Sequence, residues 1–159
     1  SIYYIATVIK TYREIIDKIR TNSLTNEYAM YYKDILNRCA NRDSVAQFFN
    51  SKPTKDEQYF LGREEVSNQD FLGLVIDYDE KTKMVTLEER NHFEVGTEVE
   101  FFGPNLEATT FKIDDLYNEK DESIISARHP REIVKFHCPI KLCKNDIMRL
   151  KVFDISAYL

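Results

Sequence analysis

At 159 residues the chain is long enough for one ordinary domain, or for one small domain with an appendage. Hydrophobic residues make up 43% and charged residues 31%, the balance of a soluble globular protein, and no apolar run approaches the roughly eighteen residues of a membrane span. The N-terminus lacks the basic-then-apolar order of a secretion signal, and three cysteines without disulfide spacing read as the reduced thiols of a cytoplasmic protein.

Taken in chain order, the first expected element is an amphipathic helix. Ile5, Val8, Ile9, Tyr12, Ile15, Ile16 and Ile19 recur at the spacing of one helical face, while Arg13 with Asp17 and Glu14 with Lys18 sit four residues apart on the other. So wide an apolar stripe has to dock against something. The chain opens on Ser1 and the helix begins at once, so the expectation is a segment of a longer polypeptide, with part of the docking surface upstream. Thr21–Asn26 is turn-like, and Thr25 or Asn26 is placed to cap a second helix whose buried side would be Tyr28, Tyr31, Tyr32, Ile35, Leu36 and Cys39. Tyrosines could stack on bases, but at helical spacing they read as core.

Asn50–Asp56 is the clearest linker, and beyond it the period changes from 3.6 to two. Strands are expected at Gln58–Glu64, Phe71–Tyr78, Met84–Arg90, Glu98–Phe102, Thr109–Ile113, Ile133–Cys138 and Ile147–Phe153. Asp79–Lys83 is the best hairpin connection, Gly96 is placed for a positive φ at the turn into the Glu98–Phe102 strand, and Gly103-Pro104 ends that strand cleanly. The expected fold class is mainly β: a small closed or partly open β-barrel over residues 58–159, preceded by two α-helices and a linker over residues 1–57.

The net charge of −5 hides segregation. Residues 59–127 carry six Lys or Arg against seventeen Asp or Glu, whereas residues 128–151 carry seven basic residues against Glu132 and Asp146. Arg128, Lys135, Lys141 and Arg149 are the candidate contacts for an anionic backbone. The competing reading is that basic and acidic strands lie side by side and pair across the sheet.

Other constellations are weaker. His137-Cys138 and Cys143, with His129 and Cys39, lack the two-residue cysteine gaps of zinc sites, and alternation puts His137 and Cys138 on opposite faces of a strand. Asp77, Asp79 and Lys81 have the opening spacing of a calcium loop, but Thr82 stands where its glycine is needed. Glu64-Glu65 and Glu88-Glu89 alternate in and out of a sheet and make no catalytic pair. With four scattered glycines there is neither a phosphate loop nor a nucleophile elbow. No catalytic, metal-binding or cofactor-binding residue is expected in this chain.

Two stretches carry a family resemblance. IYYIATVIKTYREIIDKI at the start and LVIDYDEKTKMVTLEERNHFEVGTEVEFFGP further on resemble the C-terminal part of bacterial peptidase family U-32, described as collagenase-like proteases and including tRNA and ribosomal RNA hydroxylation proteins. ERNHFEVGTEVEFFGPN resembles the family's Gln/Glu-Arg-Asn, Val-Gly and Glu-Val-Glu-Phe-Phe-Gly-Pro pattern; DSVAQFFNSKP lacks the glycine of the family's Thr-Thr-Gly-Phe-like run. The resemblance implies a large upstream α/β barrel, with Ser1 to about Arg20 as its last helix, followed by a small β-barrel similar to those of translation factors. It implies a non-catalytic accessory domain that helps a parent enzyme hold tRNA or a protein substrate, with any iron–sulfur cluster in the upstream domain. The alternatives are a structural or self-association module, or a domain that binds a collagen-like protein substrate.

Overall fold

The computed structural model describes residues 1–39 and 69–159, together with Phe49 and Lys52. The strand expected at Gln58–Glu64 and, apart from Lys52, the Asn50–Asp56 linker lie outside the described residues. The chain divides into two compact units, Ser1–Asn68 with Ile155–Leu159, and Gln69–Asp154.

In the first unit, α1 (Ile2–Arg20) and α2 (Asn26–Cys39) form where the periodicity places them. α1 stops because Asn22 turns left-handed at φ 53°. This lets Ser23 N–H reach the Lys18 carbonyl at 2.8 Å and Asn22 N–H reach that of Ile19 at 3.0 Å, a Schellman closure with asparagine in the usual glycine position. Thr25 caps α2 through a 3.4 Å bond from Tyr28 N–H. Tyr32, Ile35 and Cys39 are buried on α2. On α1 the buried row is Tyr3, Thr7 and Thr11. Glu14 continues that row and pairs with Lys10 at 3.5 Å rather than with Lys18, whose ammonium lies 3.6 Å over the Tyr28 ring of α2. The isoleucine face is open: Ile5, Ile9, Tyr12, Ile16 and Ile19 are 57, 62, 55, 48 and 59% exposed. At the chain's end, a 3-10 turn (Ile155–Ala157) is followed by Tyr158, whose hydroxyl donates to Asp34 Oδ2 at 2.7 Å.

The second unit is built from β1 (Phe71–Asp79), β2 (Met84–Glu89), β3 (Phe93–Glu94), β4 (Glu98–Gly103), β5 (Leu106–Lys112), β6 (Tyr117–Asn118), β7 (Ser126–Ala127), β8 (Ile133–His137) and β9 (Ile147–Leu150). Seven of them form one antiparallel sheet in the order β5-β4-β9-β1-β2-β8-β6, and β3 pairs with β7 as a separate ribbon. The β1–β2 hairpin turns where expected. Asp79 Oδ1 accepts from Lys81 N–H at 2.8 Å and Thr82 N–H at 3.4 Å, so this is a self-bonded tip rather than a cation loop. Gly96 has φ +93°.

Among the described residues the sheet does not close into a barrel. The sheet ends at β5 and β6, which do not pair with each other. The outer edge of β6 is occupied by its own returning chain: Tyr117 bridges Ser123, and Asn118 N–H donates to the Glu122 carbonyl at 3.0 Å. That leaves no free edge for β5 to join. Irregularities in β1 between Phe71 and Gly73 and between Val75 and Asp77, and in β4 between Phe101 and Gly103, nevertheless bend the sheet. Phe101 of β4 and Phe111 of β5 therefore stack on Phe136 of β8 at 6.2 and 6.4 Å between ring centroids. Around them Leu72, Val75, Val85, Leu87, Val99, Ile113, Val134 and Met148 complete one core.

Candidate functional site

The four basic residues singled out from sequence are spread across the sheet, and three of them sit on carboxylates. Arg149 faces Glu100 directly in the β4–β9 ladder. Its Nε donates to Glu100 Oε2 at 2.7 Å, its Nη2 pairs with the same oxygen, and Lys151 Nζ reaches Glu100 Oε1 at 3.2 Å. The guanidinium also lies 4.8 Å over the Phe102 ring. With the Arg149 and Glu100 side chains only 12 and 5% exposed, this cluster holds strands together and offers little to a ligand. Lys135 Nζ lies 2.7 Å from Asp121 Oδ1, and Lys141 Nζ lies 2.5 Å from Glu80 Oε1 at the β1–β2 hairpin. Arg128 Nε donates to Ser126 Oγ at 2.7 Å. Lys135 on β8 and Arg149 on β9 are separated by β1 and β2. That is three strand spacings, about 14 Å. The basic run in the sequence is thus distributed over several parts of the β unit.

Sequence reasoning missed one constellation. Asp115 grips His137 at two points: Oδ1 accepts the His137 backbone N–H at 2.8 Å, and Oδ2 lies 2.5 Å from the ring Nδ1. Tyr117 packs edge-on against the imidazole at 6.2 Å. Burial opposes ionisation of Asp115, but the bonds from the His137 backbone and ring, together with the Tyr117 hydroxyl, outweigh it and hold the carboxyl below its usual range. An imidazole oriented by a carboxylate through Nδ1 directs Nε2 outward, the arrangement of a proton-transfer group. Here the ring is half-exposed, and among the described residues no side chain hydrogen-bonds to its Nε2. Twenty-two residues separate the pair, and only the β6–β8 pairing brings them together.

A second buried acid lies at the end of β2. Glu89 is 1% exposed and its Oε2 has no hydrogen-bond partner. Burial, then the charge of Glu132, pushes its pKa up. The neighbouring turn is clamped to it: Arg131 N–H donates to the Glu89 carbonyl at 3.0 Å and Glu89 N–H to that of Glu132 at 2.9 Å. The other two residues of the Glu-Arg-Asn run are also engaged. Arg90 pairs with Glu88 at 2.6 Å, and Asn91 Nδ2 donates to the Phe71 carbonyl at 2.8 Å. This run fastens β1, β2 and the 129–132 turn together.

Among the described residues no three His, Cys, Asp or Glu side chains are grouped to hold a metal ion, and no helix is long and apolar enough to cross a membrane. Cys138 is fully buried, which pushes its thiol up to about 11, while Cys143 is exposed. As alternation predicts, Cys138 and His137 lie on opposite faces.

Comparison with known proteins gives this scaffold its relatives. Residues 67–149 match the model of the peptidase family U32 C-terminal domain. The chain belongs to the U32 family. A tRNA hydroxylation protein P1 from Bacillus subtilis (strain 168) is 41% identical over 149 residues, covering 94% of this chain but 35% of the relative. The chain thus spans about a third of that relative's length. The crystal structure of the C-terminal domain of a putative U32 peptidase from Geobacillus thermoleovorans aligns with a TM-score of 0.52 at 41% identity, over 54% of this chain and 97% of that one. U32 sequences thus include proteins described as peptidases and as tRNA hydroxylation proteins.

Proposed function

We propose that this segment is the non-catalytic, substrate-holding C-terminal portion of a tRNA-hydroxylating U32 protein. The observation that carries the reading is its 41% identity, over 94% of its length, to a tRNA hydroxylation protein. The side chains support a holding role. Three of the four basic residues singled out from sequence are engaged by carboxylates of the same unit, Lys135 by Asp121, Lys141 by Glu80 and Arg149 by Glu100. Among the described residues no three His, Cys, Asp or Glu side chains are grouped to hold an iron–sulfur cluster. In this reading the reaction, and any such cluster, belong to the upstream part of the polypeptide.

Arg128 and Lys141 are the more accessible of the four basic residues and carry the proposed tRNA contact, Lys141 through an exposed ion pair with Glu80; Lys135 and Arg149 are less exposed and paired with Asp121 and Glu100. Arg128→Glu with Lys141→Glu in the full-length protein tests this by gel-shift titration across salt. Two lost phosphate contacts should weaken tRNA binding at least about tenfold and flatten the dependence of log affinity on log salt by roughly two units. Unchanged affinity and slope would refute the contact. Protein-substrate binding and self-association are the competing roles; self-association through α1 is separated by the measurement described next.

A further inference from the structure

The least explained feature of the molecule is the outward face of α1. Ile2, Ile5, Ile9, Tyr12, Ile16 and Ile19 follow one another at alternating three- and four-residue steps and are all between 48 and 62% exposed. The seam runs along the whole helix, about 26 Å. The row that α1 does bury includes Thr7 and Thr11. A helix that buries threonines and leaves five isoleucines in water has its hydrophobic driving force unspent, and a continuous patch of this kind marks an interaction face.

We propose that this isoleucine seam is an intramolecular docking face, covered in the full-length protein by an apolar surface of the polypeptide that precedes this segment. Three observations select that occupant. The tRNA hydroxylation relative matches nearly all of this chain, yet about two-thirds of that relative lies outside the match. The family match begins at residue 67 and is to a C-terminal domain, so the remainder of such proteins lies on the N-terminal side, where α1 is. The solved domain matches 54% of this chain, a share equal to the length of the β unit alone, so a folded U32 C-terminal domain does not require α1. A second copy is the competing occupant, and dilution separates the two. The inference does not depend on the role proposed for the β unit.

The test uses full-length protein carrying Ile9→Cys or Ile16→Cys, with Glu107→Cys on the exposed edge strand β5 as reference. Maleimide modification of each site is followed by peptide mass spectrometry. The docked seam should react at least about tenfold more slowly than Glu107→Cys, at all protein concentrations. Modification within about threefold of the reference would overturn the proposal, as would protection that disappears on hundredfold dilution, the signature of a second copy. Hydrogen exchange of the unsubstituted full-length protein supplies the same readout without a substitution. Backbone amides throughout α1 should be protected, and exchange as fast as at a fraying terminus would contradict docking.

Discussion

Gly103→Ala is the sharpest perturbation that the β unit offers. A Cβ at this position would lie 1.8 Å from Asp146 Oδ1 and 2.8 Å from its Cγ, so the carboxylate has to leave. Asp146 is 3% exposed, and its Oδ2 accepts the Cys143 N–H at 2.7 Å. Its backbone carbonyl also accepts from Val75 N–H at 2.9 Å, clipping the loop before β9 onto β1. Moving the side chain therefore breaks a charge-assisted bond in a buried place and strains the loop it organises. Together these cost about 2–4 kcal/mol. For a unit the size of residues 69–154 that is a fall in melting temperature of roughly 8–30 °C, read by calorimetry or near-ultraviolet circular dichroism. Gly96→Ala is the comparison: nothing lies within 4 Å of its Cβ, and only the φ of +93° penalises it. That loss should be about 1–2 kcal/mol. In a double-mutant cycle, Asp146→Ala should absorb part of the Gly103→Ala cost, leaving a coupling of at least about 1 kcal/mol. A Gly103→Ala protein that melts within 2 °C of the parent, or strict additivity with Asp146→Ala, would refute the reasoning.

Glu89→Gln tests another buried acid. Its folded pKa is raised above the ordinary 4.5, so the folded state holds a proton that the unfolded chain has released, and stability falls as pH rises through that window. Glutamine removes the titration: thermal melts should show a gain at pH 8, little change at pH 3.5 and a flatter profile between them, and an unchanged pH profile would contradict the assignment. Glu100→Gln removes the carboxylate charge that faces Arg149 and Lys151 in a largely buried place. Denaturant unfolding should show a loss of about 3 kcal/mol, and a loss below about 1 kcal/mol would mean that the cluster is screened by water.

The longer elements were legible because they repeat. β2 and β8 alternate in and out, β1 and β4 are apolar runs bounded by turn signals, and both helices show their period. β3, β6 and β7 are two residues long, too short for any period, and were not foreseen. The open sheet was hidden for a topological reason. Closure depends on whether the outer edge of β6 is free, and the Tyr117–Ser123 bridge that occupies it leaves no pattern in hydropathy. Charge runs were visible, but not their partners. Glu100 meets Arg149 across 49 residues and Asp115 meets His137 across 22, distances set by strand order alone. On α1 the sequence showed an apolar face, and most of that face is exposed in the structure.

The central claim, that the segment holds substrate without taking part in the reaction, is tested most directly at His137, the one carboxylate-oriented imidazole among the described residues. Half exposed, it can be replaced by alanine with little cost to the fold. In full-length His137→Ala the account predicts single-turnover tRNA hydroxylation within about twofold of the unsubstituted protein. A loss of about a hundredfold or more at saturating tRNA, the scale of a missing general acid–base, would place chemistry in this unit and contradict it.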